Sequence, residues 1–318
     1  MSRIAIIGSG AWGTALAIVL GHKDQHSIQL WAHEPEVVAS INDHGENSLY
    51  LPGLKLPAGI TATTSYAQAL DGAEIVVSVM PSSHCRSVVQ QLSLFLTPQM
   101  LLVSATKGIE NETHMRMTEI ICTVVKASKG FSPRVGALSG PSFAHEVGRG
   151  DPTAITIASQ DAELAQIVQR EFSDPSFRVY TNDDVIGVEL GHNSVAALIT
   201  RGLAEITRLA VACGGRPETL SGLAGLGDLV LTCTGSLSRN RSVGVELGRG
   251  RKLPEIIANM RGAVAEGVFT TEAAVGLAKK HGADIPITQQ MFEILRNDKS
   301  PKNAIQELMT RRAKSELN

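Results

Sequence analysis

The sequence has little net charge, no long apolar run and no leader-like start, and each absence excludes a class of protein. Lysine and arginine number 29 against 31 aspartates and glutamates, so the net charge of −2 provides no field that would gather nucleic acid or anionic lipid. Apolar runs such as Ala15–Leu20 are shorter than the ~18 residues that cross a bilayer, and Met1–Arg3 leads directly into a strand-like run. We therefore expect a cytoplasmic protein without a signal peptide, without membrane insertion and without a nucleic-acid partner.

Cysteine is scarce and dispersed. The four cysteines have no C-x-x-C spacing, which suits a reducing compartment and predicts neither a disulfide frame nor a zinc site. They are Cys85, Cys122, Cys213 and Cys233. Histidines also lack metal-ligand spacing, and we expect the following ones to be non-catalytic: His84, His145, His192 and His281. The sequence therefore predicts no metal centre.

The 318 residues are enough for two domains, and the texture of the sequence changes once. Through residue 182, short β-branched runs alternate with helical patterns, which is typical of parallel strands joined by crossover helices. From residue 183 onward, apolar residues recur at three- and four-residue spacing, as in 195–213. We predict an α/β protein with a Rossmann-type doubly wound sheet in 1–182 and an all-helical domain in 183–318. The expected strands are Arg3–Ile7, Ile28–Trp31, Ile75–Met80, Leu101–Ala105, Val135–Ser139, Ala154–Ala158 and Phe177–Tyr180.

A glycine-rich loop follows the first expected strand. Gly8, Gly10 and Gly13 form G-x-G-x-x-G between a strand and a helix, the context that this motif needs. The first glycine permits a tight turn, the second lets the backbone approach a pyrophosphate, and the third lets the helix pack on the strand. The helix N-terminus would then supply N–H donors and a positive dipole end. The loop predicts dinucleotide binding.

The end of the second expected strand carries two residues that bear on the choice of dinucleotide. Glu34 stands about 20 residues beyond the loop, where a carboxylate binds the adenosine ribose hydroxyls of NAD. His33 beside it could instead face the 2′-phosphate of NADP, and no arginine stands there to decide. NAD and NADP both stay open.

Four further segments carry groups suited to a phosphate or a carbonyl. Lys107 follows the strand Leu101–Ala105, and a lysine at the carboxyl end of a parallel strand can polarise a carbonyl or hold a phosphate. The turn Ser139–Ala144 offers backbone donors and a hydroxyl at the same edge. In the helical half, glycines flank an aspartate in Gly222–Asp228, and Ser238–Arg241 supplies the guanidinium, amide and hydroxyl donors that a phosphate needs.

Together these segments resemble a known enzyme family, the bacterial NAD(P)-dependent glycerol-3-phosphate dehydrogenases. The matching motifs, in chain order, are G-S-G-A-W-G-T-A-L-A, A-T-K-G-I-E, S-G-P-S-F-A, A-A-L-I-T-R-G-L-A-E, L-A-G-L-G-D-L and S-R-N-R. The resemblance implies reduction of dihydroxyacetone phosphate to sn-glycerol 3-phosphate for phospholipid synthesis, usually by a homodimer. Hydride passes from the nicotinamide to the central carbonyl carbon, and a lysine ammonium protonates the developing alkoxide.

The resemblance also implies two sets of contacts, carried over motif by motif. The implied cofactor contacts are Gly8, Gly10, Ala11, Trp12, Gly13, His33, Tyr50, Lys107, Ala144, Arg239, Val264 and Glu266. The implied substrate contacts are Lys107, Gly140, Ser142, Asp228, Ser238, Arg239 and Asn240. Two other functions stay open: a nucleotide-binding relative with impaired catalysis, and another β-hydroxyacid dehydrogenase.

The chain departs from the family pattern at one point. After G-V-E-L-G the pattern continues with a segment of about twenty residues, the length of a long helix, and its A-L-K-N lysine is the usual proton donor. Here Gly191 is followed directly by His192, so that lysine is absent and only Lys107 is expected to assist. Either the segment is deleted, or the natural chain is longer than this sequence. We favour the second explanation, because a deletion would remove core packing in which one Leu→Ala change alone costs ~2.7–5 kcal/mol.

Overall fold

The computed structural model describes residues 2–23, 25–190, 197–234, 238–260 and 265–312. Two compact units divide the chain, and each is described by itself. The first is Met1–Ser194 with Arg312–Asn318, and the second is Val195–Arg311. The domain boundary at 182 stays a prediction, and the first unit also includes the helix Val185–Leu190.

The first unit is built on one sheet of eight strands. The strands are β1 (Ser2–Ile7), β2 (His26–Trp31), β3 (Ile60–Thr63), β4 (Ile75–Ser78), β5 (Leu101–Ser104), β6 (Arg134–Ser139), β7 (Thr153–Ala158) and β8 (Phe177–Asn182). The helices of this unit are α1 (Ala11–Gly21), α2 (Pro35–His44), α3 (Tyr66–Leu70), α4 (Ser82–Leu92), α5 (Met117–Lys129), α6 (Ala144–Arg149), α7 (Ala162–Phe172) and α8 (Val185–Leu190), with a 3₁₀ turn at Ser93–Phe95. The predicted Rossmann-type α/β architecture is confirmed.

Two details of the sheet differ from the sequence-based expectation. Strand β3 was not predicted, because its sequence I-T-A-T is short and half polar. The expectation of parallel strands is wrong for β6 and β7, which pair antiparallel, whereas every other neighbouring pair of described strands is parallel. The six residues of α6 span only about 9 Å, whereas a six-residue strand spans about 20 Å. The connection therefore does not carry the chain back along the sheet, and β7 runs opposite to β6.

The core covers both faces of the sheet, as the apolar strands require. Ile4 and Ile6 of β1 lie in one buried cluster, whereas Ala5 and Ile7 lie in the other. This division follows from the strand geometry, because successive side chains point to opposite faces. Helices α1 and α7 contribute to the first cluster, and α4 and α5 contribute to the second. Both faces are therefore covered by helices.

The strand order creates a crevice at the carboxyl end of β1. The order is β3-β2-β1-β4-β5-β6-β7-β8, so the chain leaves β1 for β2 on one side and later returns to β4 on the other. Ile7 is in register with both Trp31 of β2 and Ser78 of β4, which brings the ends of the three strands level. Ligands of open α/β sheets bind at such a reversal.

All regular secondary structure among the described residues of the second unit is helical. Its helices are α9 (Ala197–Ala212), α10 (Pro217–Leu220), α11 (Asp228–Thr234), α12 (Arg239–Gly248), α13 (Leu253–Asn259), α14 (Glu266–His281), α15 (Pro286–Arg296) and α16 (Pro301–Met309), with a π-helical turn at Leu223–Gly227. A small buried cluster includes Val243, Leu247 and Val268. Glu205 of α9 caps α15, because its carboxylate accepts the N–H groups of Ile287 and Thr288 at 2.5 and 3.0 Å.

Candidate cofactor and substrate site

A cleft of about 980 Å³ lies in the first unit, where the strand order reverses. Its walls come from the loops that follow β1, β2, β4 and β5. Its lining includes Gly8–Gly13, Trp31, His33, Glu34, Tyr50, Val79, His84, Lys107 and Ser142. This volume is within the range of ligand clefts, and its position is the one that the sheet topology favours.

The glycine-rich loop shapes the end of the cleft next to β1. Gly8 has φ +124°, and a Cβ there would lie 1.8 Å from the Val79 carbonyl oxygen. A Cβ on Gly13 would lie 1.9 Å from the Gly8 carbonyl oxygen. At Gly10, by contrast, a Cβ would meet no atom of the described chain within 4 Å. Packing thus requires Gly8 and Gly13, while Gly10 leaves the start of α1 open to a ligand.

Trp12 adds an indole to the same wall. Its Nε1–H is buried and has no hydrogen-bond partner among the residues that the structure describes. The ring centroid lies 6.4 Å from that of Phe177, in a tilted arrangement. A buried donor without a partner usually marks an absent ligand or water. The open space at Gly10 and this indole N–H together fit a bound dinucleotide.

The end of β2 presents a carboxylate to the cleft. Glu34 precedes α2, and the Tyr50 hydroxyl donates a hydrogen bond of 3.0 Å to its Oε1. That bond and the negative charge of Glu34 raise the pKa of the Tyr50 hydroxyl. Trp31 stacks on Tyr66 with centroids 4.5 Å apart, which stiffens the adjacent wall. Glu34 is thus held at the position where ribose hydroxyls bind in this fold.

Lys107 lies where the loop after β5 meets the turn after β6. The preceding Thr106 joins two strand ends, since its Oγ1 donates to the Ser78 carbonyl at 3.1 Å and accepts the Met80 N–H at 3.2 Å. The Lys107 ammonium donates to the Gly140 carbonyl at 3.4 Å, and burial lowers the pKa of this ammonium. A lowered pKa makes an ammonium a better proton donor.

The turn after β6 brings two more of the predicted substrate contacts next to Lys107. Gly140 has φ +149°, and a Cβ there would lie 2.9 Å from the Ile155 Cα, so only glycine fits. The Ser142 hydroxyl donates to the Gly140 carbonyl at 3.3 Å. The structure therefore gathers Lys107, Gly140 and Ser142 at one edge of the sheet. Ala144, by contrast, begins α6 and packs against the core cluster of α1.

The remaining predicted contacts belong to the second unit. Asp228 begins α11, and Ser238 caps α12 by accepting the Arg241 N–H at 3.2 Å. Arg239 is the first residue of α12. The Asn240 Oδ1 accepts the Gly267 N–H at 3.1 Å, which brings Asn240 beside Glu266. Val264 and the junction of Gly191 with His192 lie outside the described residues.

Sequence reasoning missed part of the cleft. His84 of α4 lines it, although the sequence alone suggested no role for this histidine. Its signal would have been its place three residues after Pro81, in the first turn of the helix that follows β4. Within the described ranges, His, Cys, Asp and Glu form no group of three or more that could hold a metal ion. In the same ranges, no helix is long and apolar enough to cross a membrane.

Comparison with known proteins identifies the family. The profile described as NAD-dependent glycerol-3-phosphate dehydrogenase N-terminus matches residues 3–165, and the corresponding C-terminus profile matches 185–306. A glycerol-3-phosphate dehydrogenase [NAD(P)+] of Koribacter versatilis is 61% identical over 100% of this chain and 99% of its own length. One from Acidobacterium capsulatum is 51% identical over 99% and 100%. The crystal structure of a Coxiella burnetii glycerol-3-phosphate dehydrogenase is 37% identical, with a TM-score of 0.56 over 98% of this chain and 99% of that one.

Proposed function

The chain belongs to the NAD-dependent glycerol-3-phosphate dehydrogenase family, and on that premise we propose that it interconverts dihydroxyacetone phosphate and sn-glycerol 3-phosphate. The observation that carries this proposal is the meeting of the glycine loop, Lys107 and the Gly140–Ser142 turn at one cleft. A nicotinamide dinucleotide, NAD or NADP, would supply the hydride.

Each of the candidate residues then has a role in binding or catalysis. Gly8, Gly10 and Gly13 shape the loop, and the α1 N-terminus and the Trp12 indole N–H offer donors to the dinucleotide. Lys107 holds its ammonium where a substrate oxygen would develop charge. We assign cofactor contacts also to Ala11, His33, Tyr50, Ala144, Arg239, Val264 and Glu266, and substrate contacts also to Gly140, Ser142, Asp228, Ser238, Arg239 and Asn240. In this assignment 1–182 bind the dinucleotide and 183–318 form the substrate domain.

The Tyr50–Glu34 hydrogen bond favours NAD over NADP. It fixes a carboxylate in the cleft at the end of β2. A carboxylate accepts hydrogen bonds from the 2′- and 3′-hydroxyls of an adenosine ribose, whereas it would repel the negative charge of a 2′-phosphate at the same place. We therefore propose NAD(H) as the preferred cofactor.

A second candidate function is dinucleotide binding with impaired turnover. It is supported by the direct sequence Gly191-His192, at the place where the family pattern that this chain resembles continues with a segment carrying the proton-donor lysine. The alignment with the Koribacter relative runs over 337 positions, whereas this chain has 318 residues, which supports an internal gap. Of the lysines in the family motifs, Lys107 is then the one that this chain has at the cleft.

Two measurements decide between these functions. Purified protein of this sequence is mixed with NADH or NADPH and dihydroxyacetone phosphate, and the loss of reduced cofactor is followed. Turnover supports the dehydrogenase, whereas cofactor binding without turnover supports the impaired relative, and failure to bind either cofactor would refute both. The intact mass of the protein from its natural source, compared with 33.7 kDa, tests whether the natural chain is longer.

The cellular role follows from the reaction. We propose a cytoplasmic homodimer that supplies sn-glycerol 3-phosphate for phospholipid synthesis. The charge balance and the absence of a membrane-spanning helix among the described residues are compatible with this setting. Light scattering of the purified protein tests the dimer, and a mass equal to one chain would refute it.

A further inference from the structure

Two faces of helix α4 make different contacts. One face lines the cleft, and its residues there are His84, Ser87, Val88 and Gln91. Their spacing is that of a single helix face. Ser82 and Arg86, four residues apart on the same helix, instead contact the segment that follows Lys107. Helix α4 therefore contacts both the cleft and the loop that follows Lys107.

The contacts between α4 and the loop are close and charged. Gly108 has φ +116°, and a Cβ there would lie only 3.0 Å from the Ser82 Oγ. Two residues on, the Arg86 guanidinium donates to both oxygens of the Glu110 carboxylate, from Nε at 2.9 Å and from Nη2 at 2.6 Å. The Thr113 hydroxyl donates to the same carboxylate. A bidentate arginine–carboxylate pair restricts both distance and orientation.

The loop that follows Lys107 is also closed on itself by hydrogen bonds, so the Arg86–Glu110 pair acts on a stiff segment. The Glu110 N–H donates to the Met115 carbonyl at 3.0 Å, and Ile109 forms an antiparallel bridge with Arg116. The Arg116 Nη1 donates to Glu189 of α8 at 2.6 Å. Upstream, Thr106 is anchored to the end of β4. Lys107 thus stands between two anchors, one of which is the Arg86–Glu110 pair.

We propose that the Arg86–Glu110 pair is a positioning clamp that holds the Lys107 ammonium at the cleft and couples it to the cofactor-lining helix α4. The proposal rests on the proposed function only in assuming that Lys107 serves the reaction. The side chains of Arg86 and Glu110 are 30% and 15% exposed. A partly exposed pair is screened by solvent and contributes only modestly to the stability of the whole fold, so its loss should act mainly on the loop.

The first test measures Lys107 itself. Arg86→Gln and wild-type protein are trace-labelled with acetic anhydride over a range of pH, digested and analysed by mass spectrometry, with the exposed Lys126 as internal reference. In Arg86→Gln, Lys107 should label at least about threefold more slowly near neutral pH, because a released ammonium is more fully solvated, its pKa rises toward the ordinary value and less of it is free amine. Amide hydrogen exchange of residues 106–116 should rise in parallel.

Arg134→Gln is the matched control. The Arg134 guanidinium binds Asp161 and Glu163 at 2.6 and 2.7 Å, and its side chain is 33% exposed. Arg134 begins β6, so it lies at the amino ends of β5 and β6, away from the carboxyl ends that form the cleft. The charge swap Arg86→Glu with Glu110→Arg should restore the wild-type labelling rate, and Arg86→Lys, which cannot form the bidentate contact, should give an intermediate rate. Unchanged labelling of Lys107 in Arg86→Gln, or an equal change in Arg134→Gln, would overturn the proposal. If Arg86→Gln does not fold, Arg86→Lys and the swap decide in the same way.

A second readout separates this proposal from the proposed function. Where the wild type turns over, Arg86→Gln should lower kcat/KM for dihydroxyacetone phosphate by about tenfold, within the range expected for a misplaced catalytic group. The Kd for NADH should change less than kcat/KM does, because the glycine loop and the cleft-lining face of α4 are intact. Wild-type protein without turnover would refute the dehydrogenase, and the labelling comparison would still decide the clamp.

Discussion

Replacing Glu34 should change which cofactor this protein prefers. Glu34 is half-buried and held by the Tyr50 hydroxyl, so its charge faces whatever group occupies the ribose end of the cleft. Glu34→Gln keeps the size of the side chain and removes the charge. The Glu34→Gln variant should bind NADH less tightly, and NADPH more tightly, than the wild-type protein does.

The expected magnitude follows from the partial exposure of the site. Two unit charges 4 Å apart interact by about 1 kcal/mol in water and about 4 kcal/mol at the effective dielectric of a protein surface. Since Glu34 is half-buried, we expect about 1–2 kcal/mol against a 2′-phosphate, which is roughly five- to thirtyfold in Kd. Wild-type protein should therefore bind NADH at least about fivefold more tightly than NADPH, and Glu34→Gln should remove most of that difference.

Tryptophan fluorescence provides the assay. The chain has two tryptophans, Trp12 and Trp31, and both line the cleft, so quenching reports binding without turnover. Glu36→Gln is the matched control, because Glu36 lies on the exposed first turn of α2, two residues further along. Wild-type protein that binds NADPH as tightly as NADH, or a Kd ratio that is the same in Glu34→Gln and wild type, would refute the reasoning.

Three further perturbations test the site and the fold. Lys107→Ala should lower kcat/KM by at least about a hundredfold, as loss of a proton donor or oxyanion contact does, and near wild-type kinetics would contradict its role. Arg239→Ala should mainly raise KM for dihydroxyacetone phosphate by about tenfold or more, and an unchanged KM would exclude it as a substrate contact. Arg86 and Thr113 lower the pKa of the Glu110 carboxyl to about 2, so the stability that this carboxylate contributes is present above pH ~4.5 and is lost as the pH falls toward 2. Urea unfolding of wild type and Glu110→Gln from about pH 6 to pH 3 checks this, since the variant should lose less stability on acidification.

The local parts of the site were readable from the sequence, because each depends on residues close together in the chain. The glycine loop stands between a strand and a helix, and the close approach of Gly13 to the Gly8 carbonyl is decided within Gly8–Gly13. Lys107 and the Gly140 turn each follow an apolar run that ends at the same sheet edge. Their mutual contact, however, joins residues 33 positions apart.

Other features depended on pairings that no local pattern reveals. The antiparallel return of β7 follows from a connection whose helix is only six residues long. The Arg86–Glu110 clamp joins residues 24 positions apart, and only the packing of the loop against α4 brings them together. In the same way, Tyr50 and Glu34 belong to different segments until the fold places the hydroxyl on the carboxylate.

By itself the sequence determined the class of the protein, the dinucleotide loop, the family and the candidate residues, since these are properties of composition, periodicity and short motifs. The tertiary structure decided which of those residues meet: Lys107 with Gly140, Glu34 with Tyr50, and Arg86 with Glu110. The physical reason is that backbone preferences act over a few residues, whereas contacts between side chains depend on how strands and helices from distant parts of the chain pack.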